Sequence, residues 1–169
     1  MQIRVNRAPV LTLWASVVAE RLGFDREEAL TLGRAVAGQA AAIKGRAIGL
    51  FEPGEEDLPA RRQAMTAEDT ITIALLGRGV PAVRTNDGIR ALDKETPATP
   101  ASVERYLAKA FGEALEPVRA AMTDLARRYE PRELNRIGFR LYEGFRPDVP
   151  AGAAGWGAKG VLDLGRITG

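Results

Sequence analysis

The side chains best suited to chemistry in this chain are arginines set around two tight turns. Arg78 stands between Gly77 and Gly79, and Arg84 and Arg90 flank Asn86-Asp87-Gly88, a strong hairpin signal. A three-residue loop closing on a left-handed Gly88 would pair Thr85 with Ile89 and set Arg84 directly opposite Arg90. Like charges so placed repel, so the arrangement asks for an anion, a carboxylate partner or simple solvation. A guanidinium offers a planar fork of donors that matches phosphate. Arg78, Arg84 and Arg90 are therefore the candidate nucleic-acid-binding residues, with Lys44 and Arg46 extending the positive surface. A one-residue shift in the loop would remove the pairing, leaving ordinary solvated strand residues near Asp87 and Asp93.

Other chemistries are thinly provided for. The 169 residues include no histidine and no cysteine, which removes the commonest general base, the commonest transition-metal ligand and all thiolate or disulfide chemistry. Catalysis would fall to a carboxylate, lysine or tyrosine, and no pair of acids is singled out, since Glu20, Glu27 and Glu28 have capping or surface explanations. No catalytic residue, cofactor or metal ligand is assigned, and the expectation is a non-enzymatic binding protein. Gly155-Trp156-Gly157-Ala158-Lys159-Gly160 formally matches GxGxxG, but no strand precedes it and the chain ends nine residues later, so it is rejected as a dinucleotide site. The net charge is only +2, unevenly spread. Residues 1–50 carry seven basic and four acidic side chains, against two and six in 51–70. Only four of the 24 basic residues are lysine, a bias that suits phosphate recognition and that coding composition produces equally well.

Periodicity places these residues on a mainly helical α+β framework of about five helices around a small antiparallel meander. Val10, Leu11, Leu13, Trp14, Val17, Val18 and Leu22 crowd a first helix, with Asn6 as cap, Pro9 in the first turn and Gly23 as the stop. Asp25 and Glu28 form a capping-box pattern that opens a second helix at Arg26, running to about Ile48. Glu52 to Asp69 reads as an acidic connector. Alternation from Thr70 to Leu75 describes a half-buried strand, Gly77-Arg78-Gly79 a turn, and Val80 to Thr85 a second strand that Pro81 places at an edge. Ile89 to Leu92 completes the meander. Thr99-Pro100 opens a third helix that Gly112 ends. A fourth runs from about Glu113 to Tyr129 on a seam of Leu115, Val118, Met122 and Leu125. The fifth starts at Pro131 and carries Leu134, Ile137, Leu141 and Phe145 on one side and Arg132, Arg136 and Arg140 on another, a basic stripe interrupted by Glu133 and Glu143.

The second helix is distinguished by small residues. Gly33, Ala37 and Ala41 share one face, with Gly38, Ala42 and Gly45 close by, and glycine in an exposed helix costs roughly 1 kcal/mol against alanine. A close backbone approach is required, either by another helix of this chain or across a subunit interface. Residues 1–150 read as a single domain, and 151–169 as a glycine- and alanine-rich tail docked on that domain or on a partner subunit. Trp156, held between glycines, would anchor such docking. The start is too polar for a secretory signal and no apolar run approaches a membrane span, so the expected location is cytoplasmic.

Residues 15–34 resemble a helix-turn-helix: Val18, Ala19 and Leu22 before Gly23 and Phe24, with Ala29 and Leu32 after, stand at that motif's apolar, small and turn positions. The resemblance implies a second helix presenting its first turns to a major groove, although Asp25, Glu27 and Glu28 there would repel phosphate. Leu22-Gly23-Phe24 with the following Glu-Glu-Ala-Leu also resembles a ubiquitin-associated domain, for which the second helix is too long. Ala-Pro-Val-Leu-Thr-Leu-Trp near the start and Gly-Trp-Gly-Ala-Lys-Gly near the end look like uncharacterised bacterial proteins, which implies no function. Two functions follow as expectations. One is nucleic-acid binding by a homodimer, through the helix pair and the arginine-bearing hairpin. The other is a homodimeric interaction or scaffold module joined through Gly33, Ala37 and Ala41, with Trp156 as anchor.

Overall fold

The structure, a computed structural model, describes residues 2–47, 70–93, 96–147 and 159–168, without the side chains of 40–47, 93, 96–97, 159 and 168. Helix α1 (Arg7–Leu22) forms where the apolar crowding placed it and is its axis: Pro9 to Ala19 are all buried, so neighbours surround the helix on every side. Asn6 holds the N-cap position in extended conformation. At the other end Gly23, at φ 113°, donates its backbone N–H to the carbonyls of Ala19 and Glu20, the left-handed cap that only glycine adopts without strain. Helix α2 (Arg26–Ala47) opens on the reciprocal capping box, in which the Glu28 N–H donates to Asp25 Oδ1 (2.8 Å) and the Asp25 N–H to Glu28 Oε1 (3.1 Å).

The small-residue face of α2 meets α1 backbone to backbone. A Cβ on Gly33 would overlap the Thr12 carbonyl oxygen and come 2.8 Å from the Ser16 amide nitrogen. Ala37, one turn on, is fully buried. These two positions, read from sequence as candidate subunit-interface residues, are thus covered from within the chain. Ala41's side chain and Trp156 lie outside the described residues.

The meander is a four-stranded antiparallel sheet in the order β2 (Thr70–Leu75), β3 (Arg78–Thr85), β4 (Gly88–Asp93), β5 (Thr96–Pro97). Its first turn falls on Leu76-Gly77, not on Gly77-Arg78-Gly79, because Leu75 pairs with Arg78. Both turn residues have positive φ (53° and 76°), the primed geometry that matches strand twist. Leucine is strained there, and its surroundings hold it. Asn135 Oδ1 accepts the Leu76 N–H (2.6 Å), Asn135 Nδ2 donates to the Ala74 carbonyl (3.0 Å), and the Leu76 side chain fills the space where a Cβ on Gly138 would stand. Strand β3 is internal rather than an edge. Pro81 is accommodated because the β3–β4 pairs run only from Ala82↔Ala91 to Thr85↔Gly88, so at Pro81 the strand is paired with β2 alone.

Helices α3 (Pro100–Phe111), α4 (Leu115–Ala126) and α5 (Pro131–Phe145) complete the mostly α architecture. Gly112 ends α3, and a 3₁₀ turn over Gly112–Ala114 delays α4 to Leu115, which leaves Pro117 harmlessly in its first turn. Val118, Met122 and Leu125 of the expected seam are buried in this chain's core. Helix α5 is tied to α1 by the indole of Trp14, whose Nε1–H donates to the Gly138 carbonyl (2.8 Å) while its ring meets Phe145 edge-on at 5.3 Å.

Besides the short β5, three elements escaped the sequence reading. Strand β1 (Gln2–Asn6) pairs antiparallel with β6 (Lys159–Asp163), Ile3 facing Leu162 and Val5 facing Gly160, and a short helix α6 (Leu164–Thr168) follows. Val5, Leu162 and Ile167 are buried, so the described end of the tail docks on its own domain. No described helix is long and apolar enough to cross a membrane.

Two outcomes are expected. Gly33→Ala forces the α1 backbone to move and lowers stability by about 1–3 kcal/mol. Gly38→Ala, whose added carbon meets only Arg34 Nη1 at 4.0 Å, raises it by about 0.5–1 kcal/mol, both read by urea unfolding. Burial pushes the Tyr142 phenol up to about 12 from the ordinary 10.0, partly offset by Arg7 and Arg146 and reinforced by Glu143. Between those values the folded chain keeps a proton that the unfolded chain releases, so stability falls as pH rises from 10 towards 12. Tyr142→Phe removes that part of the slope in alkaline denaturation.

Candidate nucleic-acid interface

At the β3–β4 hairpin Thr85 faces Gly88, Arg84 faces Ile89 and Val83 faces Arg90, one residue away from the register expected from sequence. Arg84 and Arg90 are therefore not opposite each other and leave the sheet on different faces. Arg84 is exposed. Arg90 is only 5 % exposed, and its donors are spent inside the protein. Its Nη2 lies 2.9 Å from Glu27 Oε2 and 3.1 Å from the Asp87 carbonyl, and its Nη1 donates to the Ile89 carbonyl at 2.9 Å. Of the alternatives open to the hairpin arginines, Arg90 takes the carboxylate partner. It is withdrawn from the phosphate-binding set, because the guanidinium is buried and both its Nη nitrogens are already engaged by Glu27 and two backbone carbonyls.

The physical cause lies in the first turn of α2. Glu28 closes the capping box with one carboxylate oxygen and with the other accepts the Ile89 N–H (2.8 Å). Thr31 Oγ1 donates to the Glu28 carbonyl and accepts the Ala91 N–H (3.1 Å). The outward amides of Ile89 and Ala91, ahead of the stretch of β4 that pairs with β5, are thus satisfied by helix side chains, and carboxylates are favoured there by the positive end of the helix. Consequently β4 packs along one side of the first turns of α2, while Asp25, Arg26 and Glu27 stay exposed and offer two acids where a helix-turn-helix would meet phosphate. Sequence reasoning saw Glu27 and Glu28 as caps and missed their second partner. The available signal was Arg90 itself, the only charge in Ile89-Arg90-Ala91-Leu92.

Beside this junction a cleft of about 690 Å³ is lined by Asp25, Glu27 and Asp87 together with Arg26 and Arg90. Its charges are mixed, Arg26 is engaged by Glu104 at 3.5 Å, and among the described residues no group of three or more His, Cys, Asp or Glu is placed to hold a metal ion.

Arg78 stands elsewhere. It lies six positions along β3 from Arg84, roughly 20 Å at the ordinary rise of a strand. Its guanidinium carbon lies 5.2 Å from the centre of the Phe139 ring on α5, and its buried Nε has no hydrogen-bond partner among the described residues. Next to it runs the outer face of α5. Arg132, Arg136 and Arg140 are all exposed, and none is in an ion pair among the described residues. At 100° per residue they point away from Leu134, Gly138, Tyr142 and Phe145, the buried face of the same helix, and successive arginines are about 6 Å apart along the axis. Phe139 borders this stripe on the side where Arg78 lies. Glu133 and Glu143 are also exposed on α5.

The structure therefore divides the sequence-derived set. Arg78 joins the α5 arginines, whereas Arg84 and Arg90 belong to the far end of the hairpin. Helix α2 touches the β2–β3 hairpin where Gln39 Nε2 donates to the Gly79 carbonyl (2.9 Å), and the side chains of Lys44 and Arg46, farther along that helix, lie outside the described residues. No family model, curated protein or solved structure matches this chain.

Arg90→Ala is expected to cost about 1–3 kcal/mol by stripping the partners from two backbone carbonyls, while Arg84→Ala stays within about 0.5 kcal/mol in the same urea titration. Thr31→Val leaves the Ala91 amide unpaired and should speed its hydrogen exchange selectively.

Proposed function

We propose that this chain is a non-enzymatic, cytoplasmic nucleic-acid-binding protein whose contact surface is the outer face of α5 with Arg78. The observation that carries the reading is the row formed by Arg132, Arg136 and Arg140, three exposed arginines on one helix without ionic partners among the described residues. Side chains about 6 Å apart on a rod suit a ligand whose negative charge also repeats, and a phosphate backbone is the commonest such ligand. Arginine's fork suits phosphate oxygens better than an ammonium would. The helix-turn-helix mode is not part of this proposal, since β4 packs along one side of the first turns of α2 and the acids left exposed there, Asp25 and Glu27, repel phosphate. The homodimer reading has less support, because Gly33 and Ala37 are consumed by α1 of the same chain.

Fluorescence anisotropy with a labelled oligonucleotide tests it. The expected dissociation constant is about micromolar at 50 mM salt and weakens steeply as salt rises. The Arg132→Ala/Arg136→Ala/Arg140→Ala variant should bind at least tenfold more weakly and flatten the logarithmic salt dependence by about 2–3. Absence of binding at tens of micromolar protein and low salt, or unchanged binding by the triple variant, would end the proposal.

A further inference from the structure

The α5 surface differs from a plain basic stripe in one respect: it carries a planar cation laid on an aromatic ring. Arg78 is held in place from behind. Two residues earlier in the chain, Leu76 is tied to α5 by its N–H, which donates to Asn135 Oδ1 while Asn135 Nδ2 donates to the Ala74 carbonyl, and by its own contact with Gly138, so β3 leaves the turn at a fixed position over that helix. From there the guanidinium reaches the Phe139 ring, 5.2 Å from carbon to ring centre. Arg78 has no ion pair among the described residues, and the residue is half-buried, not enclosed. In sequence Phe139 lies between Arg136 and Arg140, so the stack stands beside the phosphate-binding row and not at the other end of the molecule.

Resting on the nucleic-acid reading, we infer that this face binds a single strand, with an unpaired base stacked on the Arg78 guanidinium above Phe139 and the adjoining phosphates on Arg132, Arg136 and Arg140. Guanidinium planes and aromatic rings are platforms for splayed bases, and every base offers a flat face whatever its sequence. In a duplex those faces are closed by stacking on neighbouring base pairs, so the platform gains nothing there. The element that could have read a duplex through its major groove, the start of α2, is engaged on one side by β4, and the residues it leaves exposed include the acids Asp25 and Glu27, which repel phosphate. Recognition should accordingly be insensitive to sequence, sensitive to salt, and selective for unpaired nucleotides.

Anisotropy titrations with a 15-nucleotide deoxythymidine strand, the same strand with abasic sites, and a 15-base-pair duplex test this directly. The intact single strand should bind at least about fivefold more tightly than either the abasic strand or the duplex. Arg78→Lys, which keeps the charge and loses the plane, should weaken the intact strand about fivefold and leave the abasic strand unchanged. Phe139→Leu, checked for folding by urea titration, should do the same by removing the support beneath the cation. Equal affinity for intact and abasic strands, a duplex bound as tightly, or an Arg78→Lys protein that binds like the parent would overturn the single-strand inference while leaving electrostatic binding intact. Failure to bind any oligonucleotide, with or without binding to phosphatidylserine vesicles, would overturn both.

Discussion

Where Gly33 lies against Thr12 and Ser16, two helix backbones touch with no side chain between them. That contact sets the separation of α1 and α2, and the burial of α1 on every side depends on it: a wider spacing would open the faces of Leu11, Ala15 and Val18, which have no exposure at all. It also fixes where the start of α2 lies. Because Glu27, Glu28 and Thr31 all lie within the two turns before Gly33, they are brought onto β4, where they complete hydrogen bonds of Ile89, Arg90 and Ala91. The helix pair and the sheet are in this sense one structure.

On roughly the opposite side of α1, 200° round from Thr12, Trp14 holds α5 through the Gly138 carbonyl. Gly138 is also where Leu76 packs, so one backbone position on α5 receives the central helix from one direction and the first hairpin turn from another. With its inner face committed in this way, the rest of α5 can only face outwards. The arginine row is displayed because the opposite face is fully used, and Arg78 is set beside it by the same turn that packs on Gly138. A surface of this kind requires no moving part, since its geometry is already built into the core.

Much of this was legible in the chain. The left-handed stop at Gly23, the Asp25–Glu28 box, the proline-started helices and the close approach at Gly33 all follow from local chemistry, and each formed where the residue types required it. What escaped detection depends on partners distant in sequence. Strand β1 is five residues with a polar start, and only its pairing with β6, more than 150 residues later, makes it a strand. Leu76 adopts a backbone conformation that leucine avoids, and Asn135, which compensates for it, is 59 residues away. The register error at Gly88 was the costliest for the site. A shift of one residue makes Arg90 the buried partner of Glu27 instead of a candidate ligand-facing cation, and the exposed arginines that remain together are those of the α5 stripe.

The account centres on the claim that polyanions meet this protein on α5 and not on the helix pair near its amino end. Titrating a short single-stranded oligonucleotide into ¹⁵N-labelled protein and following amide chemical shifts addresses that claim most directly. Changes concentrated at Arg132 to Arg140 and around Arg78, with Asp25 to Thr31 left undisturbed, are the expected outcome. Shifts centred on Asp25 to Thr31 and the Asn86-Asp87 turn would contradict it.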